Sequence, residues 1–141
     1  MQQRFDEAKA QNERDLAECA RLYPDRFKKP TVPRIRCIND AQTKFSSAVG
    51  DPYYDLGQVL GSQILMASEQ YDAGHLSQIQ YEAAIAKAKS DFTSQIAQRN
   101  NNAAVAHAAQ EQAAAASWQA YTAGQRRSVT CTTWSNTMTC N

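Results

Sequence analysis

Apolar residues recur at intervals of three and four through most of the chain, the pattern of amphipathic helices. The first stripe, residues 5–23, predicts a helix that ends before Pro24, because proline disrupts a helix interior. A connecting loop over residues 24–33 contains three prolines. The next stripe, residues 35–49, predicts a second helix that ends at Gly50.

Local signals predict where the next two helices begin and end. Asp51-Pro52 is a strong helix start, since the aspartate accepts from free first-turn N–H groups and proline has no N–H to leave unpaired. Gly74 stands where a left-handed residue ends a helix. Ser77 and Gln80 form the S-x-x-Q pattern of a capping box. The third and fourth helices are therefore expected to form a tight antiparallel hairpin.

The fourth helical pattern is unusually long. Unbroken, it would cover residues 77–124 and measure about 72 Å. It crosses Asn100-Asn101-Asn102 into residues 103–116, where nine of fourteen positions are alanine. We expect a break at the asparagines, although alanine, the best helix former, favours a helix that continues through them.

The C-terminal residues change to an alternating pattern rich in threonine, which predicts strands. A two-residue turn at Ser135-Asn136 places Cys131 directly opposite Cys140. Neighbouring side chains on paired strands are close enough for a disulfide, which would also stabilise an otherwise marginal two-stranded hairpin.

These patterns predict an all-α fold of about four helices with a long alanine-rich last helix, followed by a small disulfide-closed β-hairpin. A chain of 141 residues suits one hydrophobic core, so we expect a single domain over residues 1–141. Its helical body would cover residues 2–124 and its hairpin residues 128–141.

The other two cysteines, Cys19 and Cys37, lie near facing ends of the first two predicted helices. An antiparallel arrangement would bring them together as a disulfide, and their spacing is unlike the short Cys pairs of zinc sites. The alternative is a reactive Cys37 whose pKa is lowered by nearby arginines and a helix start. Two disulfides indicate an oxidising compartment.

Charge is balanced overall, with 15 basic and 14 acidic residues, and predicts no nucleic-acid partner. Locally, residues 21–36 hold six basic residues and one acid, whereas residues 49–98 are acidic. The basic loop is a candidate partner-binding surface for an acidic protein or a lipid headgroup, or it rests on the acidic helical hairpin of its own chain or of a neighbouring copy. Its candidate residues are Arg26, Lys28, Lys29, Arg34 and Arg36.

Three aromatic residues are further candidates for partner binding. Trp118 and Tyr121 follow the alanine-rich segment, whose small side chains permit close approach of another helix. An ordinary surface helix is the alternative. Trp134 lies on the predicted hairpin and would be a contact residue if exposed.

No motif for catalysis, phosphate binding or metal binding is present, so we predict no enzyme activity, no cofactor and no metal site. His107 and Glu111 share one helical face and make only half of a metal site. His75 falls in a turn, where a solvated polar residue is expected.

Residues 71–81, YDAGHLSQIQY, resemble the D-x-G-x-[IL]-[ST]-x-x-[EQ]-[FY] helical-hairpin turn of uncharacterised exported proteins and lipoproteins of Gram-negative bacteria. The cysteine-bounded tail is similar to the endings of some of them. The resemblance implies a periplasmic or secreted setting. Because Met1 opens directly into a helical pattern, a signal segment would be absent from this chain.

The preferred functional hypothesis is a non-catalytic exported module that binds another protein or itself through the alanine-rich helix or the basic loop. The alternative is a binder of a small apolar or lipid-like ligand between helices. A small hydrolase or redox protein is a third hypothesis. Membrane-surface contact through a lost lipid anchor or the basic loop is a further expectation.

Overall fold

A computed structural model describes residues 1–125 and 131–140. Within that part of the chain the fold is helical, which confirms the all-α class. The chain divides into two compact units, residues 1–99 and 100–141. The prediction of a single domain stays a prediction. The elements are α1 (Gln2–Leu22), α2 (Val32–Val49), α3 (Tyr54–Asp72), α4 (Gln78–Gln125), β1 (Cys131–Trp134) and β2 (Thr137–Cys140).

Helices α1 and α2 form an antiparallel pair. The predicted Cys19–Cys37 disulfide joins them across the proline-containing loop, with the two Cα atoms 5.8 Å apart. At the other end of the pair, the rings of Phe5 and Phe45 meet edge to face at 6.0 Å. The disulfide prediction is thereby confirmed, and the reactive-thiol alternative for Cys37 is excluded in this oxidised form.

The turn between α3 and α4 follows the predicted local chemistry. Gly74 adopts a positive φ of 80°, and the N–H of His75 donates to the carbonyl of Gln70, as at a left-handed helix end. The N–H of Ser77 donates to Gln80 Oε1 at 2.9 Å, and the N–H of Gln80 donates to Ser77 Oγ at 3.2 Å. The capping box is therefore confirmed.

The start of α3 differs slightly from the prediction. The helix begins at Tyr54, after a turn through Pro52, instead of at Asp51-Pro52 itself. Asp51 still has the expected role of an acceptor, because its Oδ1 takes the N–H of Tyr53 at 2.9 Å. Gly50, with φ of 65°, ends α2 as predicted.

Contacts at both ends show that α3 and the first half of α4 run antiparallel. Tyr71 and Tyr81 lie against each other near the turn, with ring centroids 4.6 Å apart. Far from the turn, the Arg99 guanidinium donates to both carboxylate oxygens of Asp55, at 3.0 and 2.8 Å. The hydrogen bonds from Arg99 are the main reason that the pKa of Asp55 is lowered to about 2.

The expected break at Asn100-Asn101-Asn102 is wrong, because α4 continues through all three asparagines. Each asparagine costs up to about 0.7 kcal/mol relative to alanine, or about 2 kcal/mol together. Starting a separate helix in the alanine segment carries a nucleation factor of about 10⁻³, equivalent to about 4 kcal/mol. Continuing one helix is therefore the less costly arrangement.

In the second unit, β1 and β2 pair antiparallel with Cys131 opposite Cys140 and Trp134 opposite Thr137. Ser135 and Asn136 lie in a turn between the two strands and have positive φ, 48° and 64°. The side chain of Trp134 and residues 126–130 lie outside the described part of the chain.

Candidate binding surfaces

The proline-containing loop is docked on the α3–α4 hairpin by an aromatic cluster. Tyr81, only 1% exposed, packs between the ring of Tyr71 and the edge of Phe27, whose centroid is 6.4 Å away. The hydroxyl of Tyr71 donates to the carbonyl of Phe27 at 3.0 Å. Leu76, the residue before the Ser77 cap, also packs here in the position of a hydrophobic staple. The loop thus rests on the hairpin of its own chain, one of the two arrangements considered from the charge pattern.

Asp72, the last residue of α3, holds the same loop by capping the first turn of α2. Its carboxylate accepts the N–H of Thr31 at 2.8 Å, the hydroxyl of Thr31 at 2.7 Å and the N–H of Val32 at 3.0 Å. Thr31 is the N-cap residue of α2 and makes no side-chain cap of its own. Its hydroxyl also contacts that of the buried Ser68. One carboxylate of α3 therefore supplies the missing cap of α2.

Asp72 is held in its charged form. Partial burial raises the pKa of its carboxyl, but the hydrogen bonds from Thr31 and Val32 and the nearby Lys29 ammonium more than offset this. The pKa of Asp72 therefore lies below its ordinary value. A carboxyl whose pKa is lowered by folding stabilises the protein above the unfolded pKa of about 4, and this contribution is lost as the pH falls.

We expect Asp72→Ala to lower the free energy of unfolding by about 2 kcal/mol at neutral pH, because it leaves a helix start and a buried hydroxyl without their acceptor. Urea unfolding followed by circular dichroism measures this. The difference from wild type should shrink as the pH is lowered toward 3. The exposed Glu69 of the same helix is the control, and Glu69→Ala should change stability by less than about 0.5 kcal/mol. Equal effects of the two substitutions would contradict the cap.

The five basic candidates do not share one environment. Lys29 places its ammonium 4.5 Å from the centre of the Tyr71 ring, and Arg26 lies over Phe27 at 5.5 Å, both within cation–π range. Arg34 is half-buried. Lys28 and Arg36 are exposed. Part of the basic loop is thus used within the fold, so it is a weaker candidate for a partner surface than its charge alone suggested.

The alanine-rich part of α4 is exposed over its whole length. Every side chain from residue 100 to 121 is exposed, including Val105. Trp118 and Tyr121, one turn apart, are 66% and 58% exposed, and their ring centroids lie 5.8 Å from each other. These two aromatic candidates therefore form a neighbouring, tilted pair on an exposed helix.

A cleft of about 480 Å³ lies among α2, α3 and the first half of α4. Its wall includes polar side chains of α2 and α3 and the exposed Tyr54. Its apolar residues are all half-buried, in contrast to the fully buried core around Tyr81. The half-buried apolar residues of the cleft are Ile38, Leu60, Ile64, Leu65 and Phe92.

The histidines lie on the surface. His107 Nδ1 and Glu111 Oε1 are 3.4 Å apart on side chains that are 72% exposed, and His75 is exposed in its turn. Within residues 1–125 and 131–140, no group of three or more metal-ligating side chains is close enough to hold an ion. None of the described helices combines the length and apolar character that a membrane span requires.

The sequence does not indicate which residues form two features of these surfaces. The Asp72 cap joins residues 41 positions apart, so no local motif signals it. The cleft is formed by residues that the periodic pattern assigns simply to helix faces. The one available signal was Gly57, a glycine inside a helix, which commonly marks a packing or functional constraint.

No protein-family model matches the chain, and no curated protein or solved structure matches it significantly.

Proposed function

We propose that the protein is a non-catalytic helical module that binds another protein, including a second copy of itself, through the exposed part of α4. One observation supports this above the others: residues 100–121 form a regular helix with no buried side chain. Most helices in globular proteins gain their stability by burying an apolar face. This segment is instead stabilised by the high helix propensity of alanine. The surface of the segment is therefore left available for a partner.

The chemistry of the segment suits a protein interface. Between residues 100 and 125, His107 and Glu111 are the only basic or acidic side chains, so little charge has to be desolvated on binding. Alanine permits close approach of a second helix. Trp118 and Tyr121 are residue types that often carry binding energy, and their rings lie next to each other on the exposed helix.

The setting that we propose is oxidising, either periplasmic or secreted. The Cys19–Cys37 disulfide supports this, because structural disulfides persist mainly outside reducing cytosol. We further propose that a Cys131–Cys140 disulfide closes the tail as a hairpin, since the two Cα positions are paired in register. The resemblance of residues 71–81 to exported helical proteins is consistent with the same compartment.

To test the proposal, the protein is purified together with its partner from the compartment in which it occurs. Charged residues are then placed on the exposed segment of α4, and the complex is purified again. Ala109→Glu combined with Ala113→Glu should weaken the complex by more than about tenfold, because two carboxylates would be desolvated in the interface. The control is Ala83→Glu with Ala86→Glu, which adds the same charge to exposed positions of the same helix within residues 1–99. The control complex should be unchanged. A wild-type protein that is monomeric and without a stoichiometric partner would contradict the proposal.

A further inference from the structure

The cleft among α2, α3 and the first half of α4 is kept open by two glycines with different surroundings. At Gly61, an added Cβ would meet the Asn39 side chain at 3.2 Å, and Asn39 Nδ2 donates to the Gly61 carbonyl at 3.0 Å. This contact sets how closely α2 and α3 approach. At Gly57, one turn earlier, no atom lies within 4 Å of an added Cβ, although the residue lines the cleft. Open space therefore begins one helical turn from a tight contact.

The apolar part of the lining of this space is incompletely covered. Five aliphatic and aromatic side chains line it, and each remains half-buried in the folded chain. A further polar contact, from Gln58 Nε2 to Thr43 Oγ1 at 3.0 Å, crosses from α3 to α2. The volume of about 480 Å³ lies within the range of about 300–1,000 Å³ typical of small-molecule sites. An apolar molecule would complete the burial of this lining.

Two charged side chains, Asp51 and Lys89, line the cleft. Asp51 is already engaged, because its two oxygens accept from the N–H of Tyr53 and from Ser46 Oγ. Lys89 also lines the cleft, and it makes no ion pair within the described residues. The neighbouring Lys87 is committed to Asp91 at 2.8 Å and is not part of the lining. The cleft thus combines five apolar side chains with one ammonium group that makes no ion pair within the described residues.

We propose that this cleft binds a single-chain amphiphile with a carboxylate head, a medium-chain fatty acid, whose chain lies along the apolar lining and whose head pairs with Lys89. The site consists of residues 38–92 and does not involve the exposed segment of α4. It is therefore a second binding activity, independent of the protein interface proposed above, and either proposal stands if the other fails.

Isothermal titration of the full chain with dodecanoate tests the site, with 1-dodecanol as the uncharged probe of equal chain length. Gly57→Leu fills the open space with a side chain that favours helix, so the fold should be retained while dodecanoate affinity falls at least about tenfold. Lys89→Ala should reduce dodecanoate affinity about two- to fivefold, as expected for an exposed ion pair, and leave dodecanol affinity unchanged. Lys87→Ala, the matched control, should change neither.

Saturable dodecanoate binding that is lost in Gly57→Leu and weakened selectively in Lys89→Ala supports the proposal. Absence of saturable binding to the wild type would overturn it. Binding that Gly57→Leu leaves intact would also overturn it, since the chain would then lie elsewhere. Equal losses for dodecanoate and dodecanol in Lys89→Ala would refute the carboxylate head as the recognised group.

Discussion

Tyr81→Ala should lower the free energy of unfolding by about 3–5 kcal/mol, the usual cost of removing a large buried aromatic side chain. Tyr81 is 1% exposed and is the point where three parts of the chain meet. Its ring packs on Tyr71 of α3 and makes a T-shaped contact with Phe27 of the proline-containing loop. Its removal leaves a cavity beneath the loop as well as losing apolar burial. Small domains are stable by only about 5–15 kcal/mol, so the loss is a large share of the total.

Urea unfolding of the variant, followed at 222 nm, measures this effect. Tyr81→Phe keeps the ring in place and should cost less than about 1 kcal/mol. Ile79→Ala is the control two positions earlier in the same helix, where the side chain is 78% exposed, and it should change stability by less than about 0.5 kcal/mol. Similar losses for Tyr81→Ala and Ile79→Ala would show that the aromatic cluster does not hold the loop.

Removing the disulfide between α1 and α2 by Cys19→Ala with Cys37→Ala should cost about 3 kcal/mol. The bond joins residues separated by 18 positions, and chain entropy predicts about this value for a loop of that size. Cys19 is also buried at the contact of the two helices, so its shortening adds a small packing loss. The expected result is a lower urea midpoint for the main helical transition at an unchanged helical content in buffer.

The tail cysteines provide the control for this experiment. Cys131→Ala with Cys140→Ala removes the other proposed bond, which would constrain only the two short strands of the second unit. The midpoint of the main helical transition should therefore stay within experimental error of the wild type. A larger effect from the tail pair than from Cys19 and Cys37 would contradict the view that the helical body is held by its own disulfide.

Sequence reasoning succeeded where the physical cause is local. The Ser77–Gln80 capping box and the helix end at Gly74 depend on hydrogen bonds within about six residues, so they can be read without knowledge of the fold. The Cys19–Cys37 pairing was also predictable. Two helices joined by a short loop run antiparallel, and the cysteines lie near the joined ends.

Sequence reasoning failed where two local contributions to helix stability compete. At Asn100-Asn101-Asn102, weak propensity argued for a break, and only comparison with the cost of a new helix nucleus shows why α4 continues. The basic loop as a partner surface stays a prediction, although Lys29 and Arg26 lie on aromatic rings of the protein itself.

The remaining features depend on tertiary geometry. Asp72 caps α2 only because α3 ends beside Thr31, and nothing near either residue in the chain indicates this. The cleft depends on the separation of α2 and α3, which the Asn39–Gly61 contact sets. Periodicity identifies Leu60 and Ile64 as inward-facing but does not tell whether a neighbouring side chain covers them.

The central claim is that the protein functions through the exposed segment of α4, and site-specific photocrosslinking in the living cell tests it most directly. Benzoylphenylalanine would replace Trp118 and, in a separate control, Ile79, which is an exposed apolar residue of the same helix within residues 1–99. The account predicts one discrete crosslinked protein, either a second copy or a different chain, from position 118 and none from position 79. No product at 118, or the same products from both positions, would contradict it.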